Sequence, residues 1–216
     1  YFHAWSVAHF IGQVAAAGKA EYGLPLYVNV ALRDPLTHPT ANMYESGGAT
    51  DNVIPIWKAA APAIDLVAPD IYLPERDKCL KVIDLYTRQD NALFVPEAAL
   101  TSLKVGLLYS VLAHGGIGFS PFGIDDNGGE SRDEADSLEA FGREYALLGP
   151  LLPQLAEWAA AGKVSALVEA DDHGSQTLAL DGWEATVRFG TGGYRIRTNA
   201  RPLGKVMFVQ LDKNTF

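Results

Sequence analysis

The run Ala92-Leu93-Phe94-Val95-Pro96-Glu97-Ala98-Ala99-Leu100 ends an apolar strand on a single carboxylate, just before a helical pattern begins. Parallel α/β folds hold catalytic groups at that place, the carboxyl end of a strand at the mouth of the following loop. Glu97 stands between Pro96 and alanines, with no basic residue beside it in sequence. Its plainer reading is a surface glutamate that caps the next helix, with Thr101 and Ser102 close by to share that work.

Other strand-like runs end on groups that can join it. The first offers Asn29 to Arg33, the second Asp70 and Tyr72, and the fourth Phe119, Ser120 and Phe122. Trp57 can stack on the apolar face of a sugar, or serve as the core-facing residue of a short helix. Phe119 and Phe122 carry the same two readings, with Gly118 and Gly123 opening the backbone beside them. Asn29 suits either hydrogen bonding to sugar hydroxyls or filling a barrel interior. His3, His9, His38, His114 and His173 show no HExxH or related spacing, so neither a metal site nor a cofactor is expected. The stretch Asp125 to Glu130 is acidic and glycine-rich but fails the EF-hand spacing, which allows weak calcium affinity at most. Gly190 to Gly193 joins two strands and opens no helix, so it is not a phosphate cradle.

The elements that must position these groups follow from periodicity. Val7, Phe10, Ile11, Val14 and Ala15 recur at helical spacing and predict an amphipathic helix ending near Gly18. Leu24 to Leu32 reads as an apolar strand, and a Gly/Pro-rich excursion from Arg33 to Asp51 leads to a short helix with Val53, Ile56, Trp57 and Ala60. Ile64 to Tyr72 is the next strand, followed by a helix with Cys79, Leu80, Ile83 and Tyr86. The Glu97 strand precedes a helix bearing Leu103, Leu107, Leu108, Val111 and Leu112. Gly116 to Gly123 is a fourth strand, and Ser131-x-x-Glu134 is a capping box opening a helix with Leu138, Phe141, Tyr145 and Leu148.

Strands alternating with helices predict a parallel sheet with right-handed crossovers, covered on both faces. Four βα units make half of a (β/α)8 barrel, assigned to residues 1–149. From Pro150 the pattern changes to a short connecting helix, 150–162, and then to short alternating runs from 163 to 216. These are Val164–Ala170, Gln176–Leu180, Trp183–Phe189, Tyr194–Arg197 and Val206–Leu211. Turn signals at Asp172-His173-Gly174, Asp181-Gly182 and Gly192-Gly193 separate them, predicting the start of an antiparallel β-sandwich domain.

Composition bounds the partners. With 48% hydrophobic and 20% charged residues among 216, a substantial core forms and global disorder is excluded. A formal net charge of −9 opposes nucleic-acid binding and favours a neutral or cationic ligand, such as a neutral sugar. Cys79 is the one cysteine, so no internal disulfide or thiolate metal site is expected, and its helical position predicts a buried thiol. No run reaches the roughly 18 apolar residues of a membrane span. The opening Tyr1-Phe2-His3-Ala4-Trp5 reads as the middle of a longer protein.

The VNVAL strand, DNVIPIWKAAAPAIDLVAPDIY, LFVPEAAL and HGGIGFSPFGID together resemble family 35 glycoside hydrolases, most closely the bacterial β-galactosidase-like subgroup with an appended β domain. The resemblance extends over nearly the whole chain, although no one motif in it has the specificity of a zinc or P-loop signature. It implies the carboxyl-terminal half of a (β/α)8 catalytic barrel, exo-acting removal of terminal β-galactose with retention, and no cofactor. It places Glu97 as nucleophile, forming a glycosyl-enzyme that water opens. Tyr72 then hydrogen-bonds the nucleophile and favours its ionised form. Asn29, Trp57, Phe119 and Phe122 become candidate substrate contacts. The segment Ala98-Ala99-Leu100-Thr101-Ser102 departs from the aromatic-rich segment of animal and fungal members, so their substrate contacts do not carry over. The acid/base glutamate is expected upstream of Tyr1, because Glu45 in the excursion and Glu75 after Pro74 suit the role poorly. The resemblance further implies a β-galactoside or plant-polysaccharide oligosaccharide substrate and a periplasmic or secreted setting. Two other readings remain: a non-catalytic carbohydrate-binding scaffold, and a barrel glycosidase of another linkage.

Overall fold

The computed structural model describes residues 1–125, 132–170, 174–189 and 203–216. The chain is mixed α/β, with one four-stranded parallel sheet and two antiparallel strand pairs among the described residues. It divides by packing into two compact units, one of residues 1–98 and 116–120, the other of 99–115 and 121–216.

The first unit begins with helix α1 (Phe2–Glu21), strand β1 (Tyr27–Ala31), a 3-10 turn (Asp51–Val53) and helix α2 (Ile54–Ala60). Strand β2 (Leu66–Ile71), helix α3 (Arg76–Tyr86), strand β3 (Phe94–Ala98) and strand β4 (Gly118–Pro121) follow. The sheet order is β1-β2-β3-β4, so each strand lies beside its successor. One face of the sheet is apolar and closed: Val30, Val67, Ile71, Val95 and Ala98 are buried, and α3 packs on β2 through Cys79, Val82, Ile83 and Tyr86. Each fully buried aliphatic side chain there contributes about 1.5–3 kcal/mol.

Asn91 joins these elements where no strand continues. Its Oδ1 accepts from the Val67 N–H at 2.9 Å, and its Nδ2 donates to the carbonyls of Val67 at 3.0 Å and Tyr86 at 3.2 Å. A side-chain amide thus stands in for a missing backbone rung and satisfies a carbonyl at the end of α3.

Helix α1 corrects its expected face. Its buried residues are Ala4, Ala8, Gly12 and Ala15, whereas Phe10 is 64% and Val14 57% exposed. A Cβ on Gly12 would lie 2.8 Å from the Ala61 Cα, so α1 approaches the end of α2 through a seam of small residues. Backbone proximity, rather than side-chain bulk, selected the buried stripe.

The excursion after β1 is pinned by charge. Arg33 donates to both carboxylate oxygens of Asp51 at 2.7 and 2.5 Å, and Lys78 of α3 pairs with Asp34 at 2.9 Å. The Arg33–Asp51 pair is almost buried, so each partner depends on the other for solvation.

The second unit comprises α4 (Ser102–Ala113), α5 (Arg132–Leu148), a 3-10 turn (Gly149–Leu151), α6 (Leu152–Ala160) and four strands. Helix α4 is buried around nearly its whole circumference, as its apolar composition requires. Its Gly106 faces Val168, leaving no room for a Cβ, and this admits strand β5 (Val164–Val168) against the helix. β5 pairs antiparallel with β8 (Lys205–Val209), and β6 (Ser175–Leu180) with β7 (Trp183–Arg188). The β6–β7 turn is the expected Asp181-Gly182, with Gly182 at φ +78, and the Gln210 amide clasps Asp181 N–H and C=O at 2.9 and 2.8 Å.

Helix α5 starts at Arg132, and Ser131 of the expected capping box lies outside the described residues. So do Asp126 to Glu130, the turn residues Asp172 and His173, the glycine run 190–193 and the expected strand Tyr194–Arg197. Among the described residues no helix is long and apolar enough to cross a membrane.

Candidate active site

Three parallel strands of the first unit bring four polar groups to one face of the sheet. Register sets Asn29 of β1 beside Ala68, and Asp70 of β2 directly beside Glu97 of β3. Because side chains alternate along a strand, Ala68, Asp70 and Tyr72 share a face. The Tyr72 hydroxyl donates to Glu97 Oε1 at 2.6 Å. The Asn29 Nδ2 donates to Asp70 Oδ1 at 3.0 Å and makes a longer contact of 3.4 Å with Glu97 Oε2. Both oxygens of Glu97 are therefore engaged by neutral donors. Thr101, before α4, makes no side-chain capping bond, and the carboxylate of Glu97 is not used as a helix cap.

Glu97 lies on this face by register, as the direct neighbour of Asp70. The rings of Tyr27 and Phe94 meet edge to face at 5.0 Å. Gly118 of β4 makes room for the Phe94 ring, since a Cβ there would meet the ring Cε2 at 2.7 Å. An aromatic layer of Tyr27 and Phe94 thus precedes a polar layer of Asn29, Asp70 and Glu97 along the strands.

The electrostatics are lopsided. Among the described residues no cation pairs with Asp70 or Glu97. Burial first, and the neighbouring Glu97 second, push the Asp70 carboxyl up to about 6, against the hydrogen bond from Asn29. Burial and then the hydrogen bond to Glu97 push the Tyr72 phenol up, so it stays a donor across the working pH range. The cluster's chemistry is that of a carboxylate held by two neutral donors beside a second acid that retains its proton to unusually high pH.

The structure brings Glu97, Tyr72 and Asn29 together. Trp57 is only 4% exposed, and its indole N–H donates to the Gly47 carbonyl at 3.3 Å, so it serves as a core residue of α2. Phe119 is half-buried in the first unit, whereas Phe122 belongs to the second unit and is 65% exposed. Glu75 sits at the start of α3 tied to Lys78 at 3.1 Å, and Glu45 is exposed in the excursion. Asp70 is the group to which sequence reasoning assigned no role. The signal was present: it lies two residues before Tyr72 in a strand, on the same face. No group of three or more histidine, cysteine or acidic residues suited to a metal ion occurs among the described residues.

The family model of DUF5597, a domain of unknown function, matches residues 141–216, in the carboxyl-terminal part of the chain. No curated protein matches the chain.

Proposed function

We propose that the chain carries the nucleophile half of a retaining glycoside hydrolase site, with Glu97 attacking the anomeric carbon of a terminal β-galactoside. The observation that carries this reading is the Glu97 carboxylate at a parallel strand's carboxyl end, held by Tyr72 and Asn29 with no cation among the described residues to neutralise it. Attack forms a bond from a Glu97 oxygen to the anomeric carbon as the glycosidic oxygen leaves with a proton from a carboxylic acid. Water then opens the ester with the same acid acting as base. The Tyr72 hydroxyl and Asn29 amide fix the carboxylate's plane through both steps. Asp70 is not assigned as the acid, which the family 35 resemblance expects upstream of Tyr1. The galactoside preference, the closed (β/α)8 barrel and the sandwich nature of the antiparallel strands rest on the family 35 resemblance.

The decisive test uses 2-deoxy-2-fluoro-β-galactosyl fluoride, whose leaving group departs without acid assistance. Peptide mass spectrometry is expected to find the fluorosugar esterified to Glu97. A label on any other carboxylate, or hydrolysis without a trapped ester, refutes the assignment.

A further inference from the structure

We infer that Asp70 is a positioning residue for Glu97: the two carboxyl groups form one acidic pair strapped by the Asn29 amide. The geometry sets this up. Asp70 and Glu97 are direct neighbours across parallel strands, and the two hydrogens of one Asn29 nitrogen point to one carboxyl group each. A nitrogen committed in two directions cannot rotate away, so Asp70 anchors the amide that Glu97 uses. Two neighbouring carboxylates in a partly dehydrated site repel, so Asp70 binds a proton more readily than an isolated aspartate does.

The two members differ in their other contacts. Glu97 receives the Tyr72 hydroxyl at 2.6 Å as well as Asn29, whereas Asp70 receives Asn29 alone. Glu97 is thus the more firmly held of the two, and Asp70 depends on the one amide they share. The ionisable groups whose fields couple to Asp70 are Glu97 from β3, Tyr72 on its own strand and Tyr86 from α3, and β1 contributes only the neutral Asn29. None of them is a cation. Protonation of Asp70 as pH falls through about 6 relieves its repulsion with Glu97.

The chemical meaning of this pair rests on the hydrolase reading, but its titration does not. Carboxyl 13C NMR on the chain is expected to show Asp70 titrating with a midpoint of about 6. Glu97→Gln removes the opposing charge and lowers that midpoint. Asn29→Ala removes a donor to the ionised form and raises it. Asp70→Ala is expected to move the Glu97 carboxyl 13C resonance, which an Asp70 that does not position Glu97 leaves in place. A wild-type midpoint below about 5, or one that both substitutions leave in place, overturns the proposal. Circular dichroism on each variant confirms that a shift is read from folded protein. Shifts of the expected signs without a fluorosugar ester on Glu97 leave the pair standing and remove the hydrolase; an ester without the shifts does the reverse.

Discussion

Each unit of the molecule contains a tyrosine that donates to a glutamate, and the two pairs have opposite surroundings. In the first, Tyr72 meets Glu97 at 2.6 Å beside a second acid, Asp70. In the second, Tyr109 of α4 meets Glu144 of α5 at 2.5 Å, and Lys205 of β8 pairs with the other Glu144 oxygen at 2.8 Å. Lys205 also lies 5.6 Å from the centre of the Tyr109 ring. The second pair is neutralised and closed, and it locks two helices to a strand. The first carries unneutralised negative charge on an open face, which lowers stability and leaves the carboxylate available to a ligand. The residue pair is the same; the neighbour's charge separates a neutralised lock from a carboxylate with no cation among the described residues.

Glutamine substitutions break the comparison most sharply. In protein that also supplies the acid, Glu97→Gln is expected to lower kcat by more than about a thousandfold, because it removes the proposed nucleophile. It is also expected to raise the melting temperature slightly, because it removes the charge beside Asp70. Glu144→Gln is expected to leave kcat alone and to cost roughly 2–3 kcal/mol in urea unfolding, since it strands the largely buried Lys205 ammonium. Equal stability losses in the two variants would erase the distinction.

The tyrosines sharpen it. Tyr72→Phe is expected to lower kcat by about 10–100-fold, through loss of one oriented donor, with little change in KM. Tyr109→Phe should leave turnover intact and cost about 1 kcal/mol, read from the denaturant midpoint. The burial and hydrogen bond that push the Tyr109 phenol up keep it protonated in the native state, so this cost should not vary between pH 6 and 9.

A smaller effect comes from Asp70. Its folded value of about 6 lies above the ordinary aspartate value, so the native state binds the proton more tightly than the unfolded chain does. Stability from this group is fully present below about pH 4 and is lost as pH rises through about 6. Partial exposure screens the effect, leaving about 1 kcal/mol. Asp70→Asn keeps an oxygen for Asn29 and cannot ionise. Its melting temperature relative to wild type is therefore expected to rise between pH 4 and 7, measured by calorimetry. A pH-independent difference would contradict the raised value.

Much of the first unit was legible because its signals are local. Continuous apolar runs with turn residues between them announced the parallel strands, and Cys79, Ile83 and Tyr86 marked the buried face of α3 correctly. The face of α1 was misread because Phe10 and Val14 outweigh Ala8 and Gly12 in any hydrophobic pattern, although only the small residues let α1 approach Ala61 closely. Trp57 carried two readings, and its bond to the Gly47 carbonyl decided for the core. Nothing local distinguishes Asn91 as the amide that completes the hydrogen bonding of β2.

The amino-acid sequence determined that strands would alternate with helices, that Glu97 would end one of those strands, and that Asp181-Gly182 would turn a hairpin, since each depends on a few adjacent residues. The tertiary structure alone decided that Asn29, Asp70, Tyr72 and Glu97 share one face. That outcome needs the β1–β2–β3 register. Register is a property of two strands at once, so it is not written in any single segment of the chain.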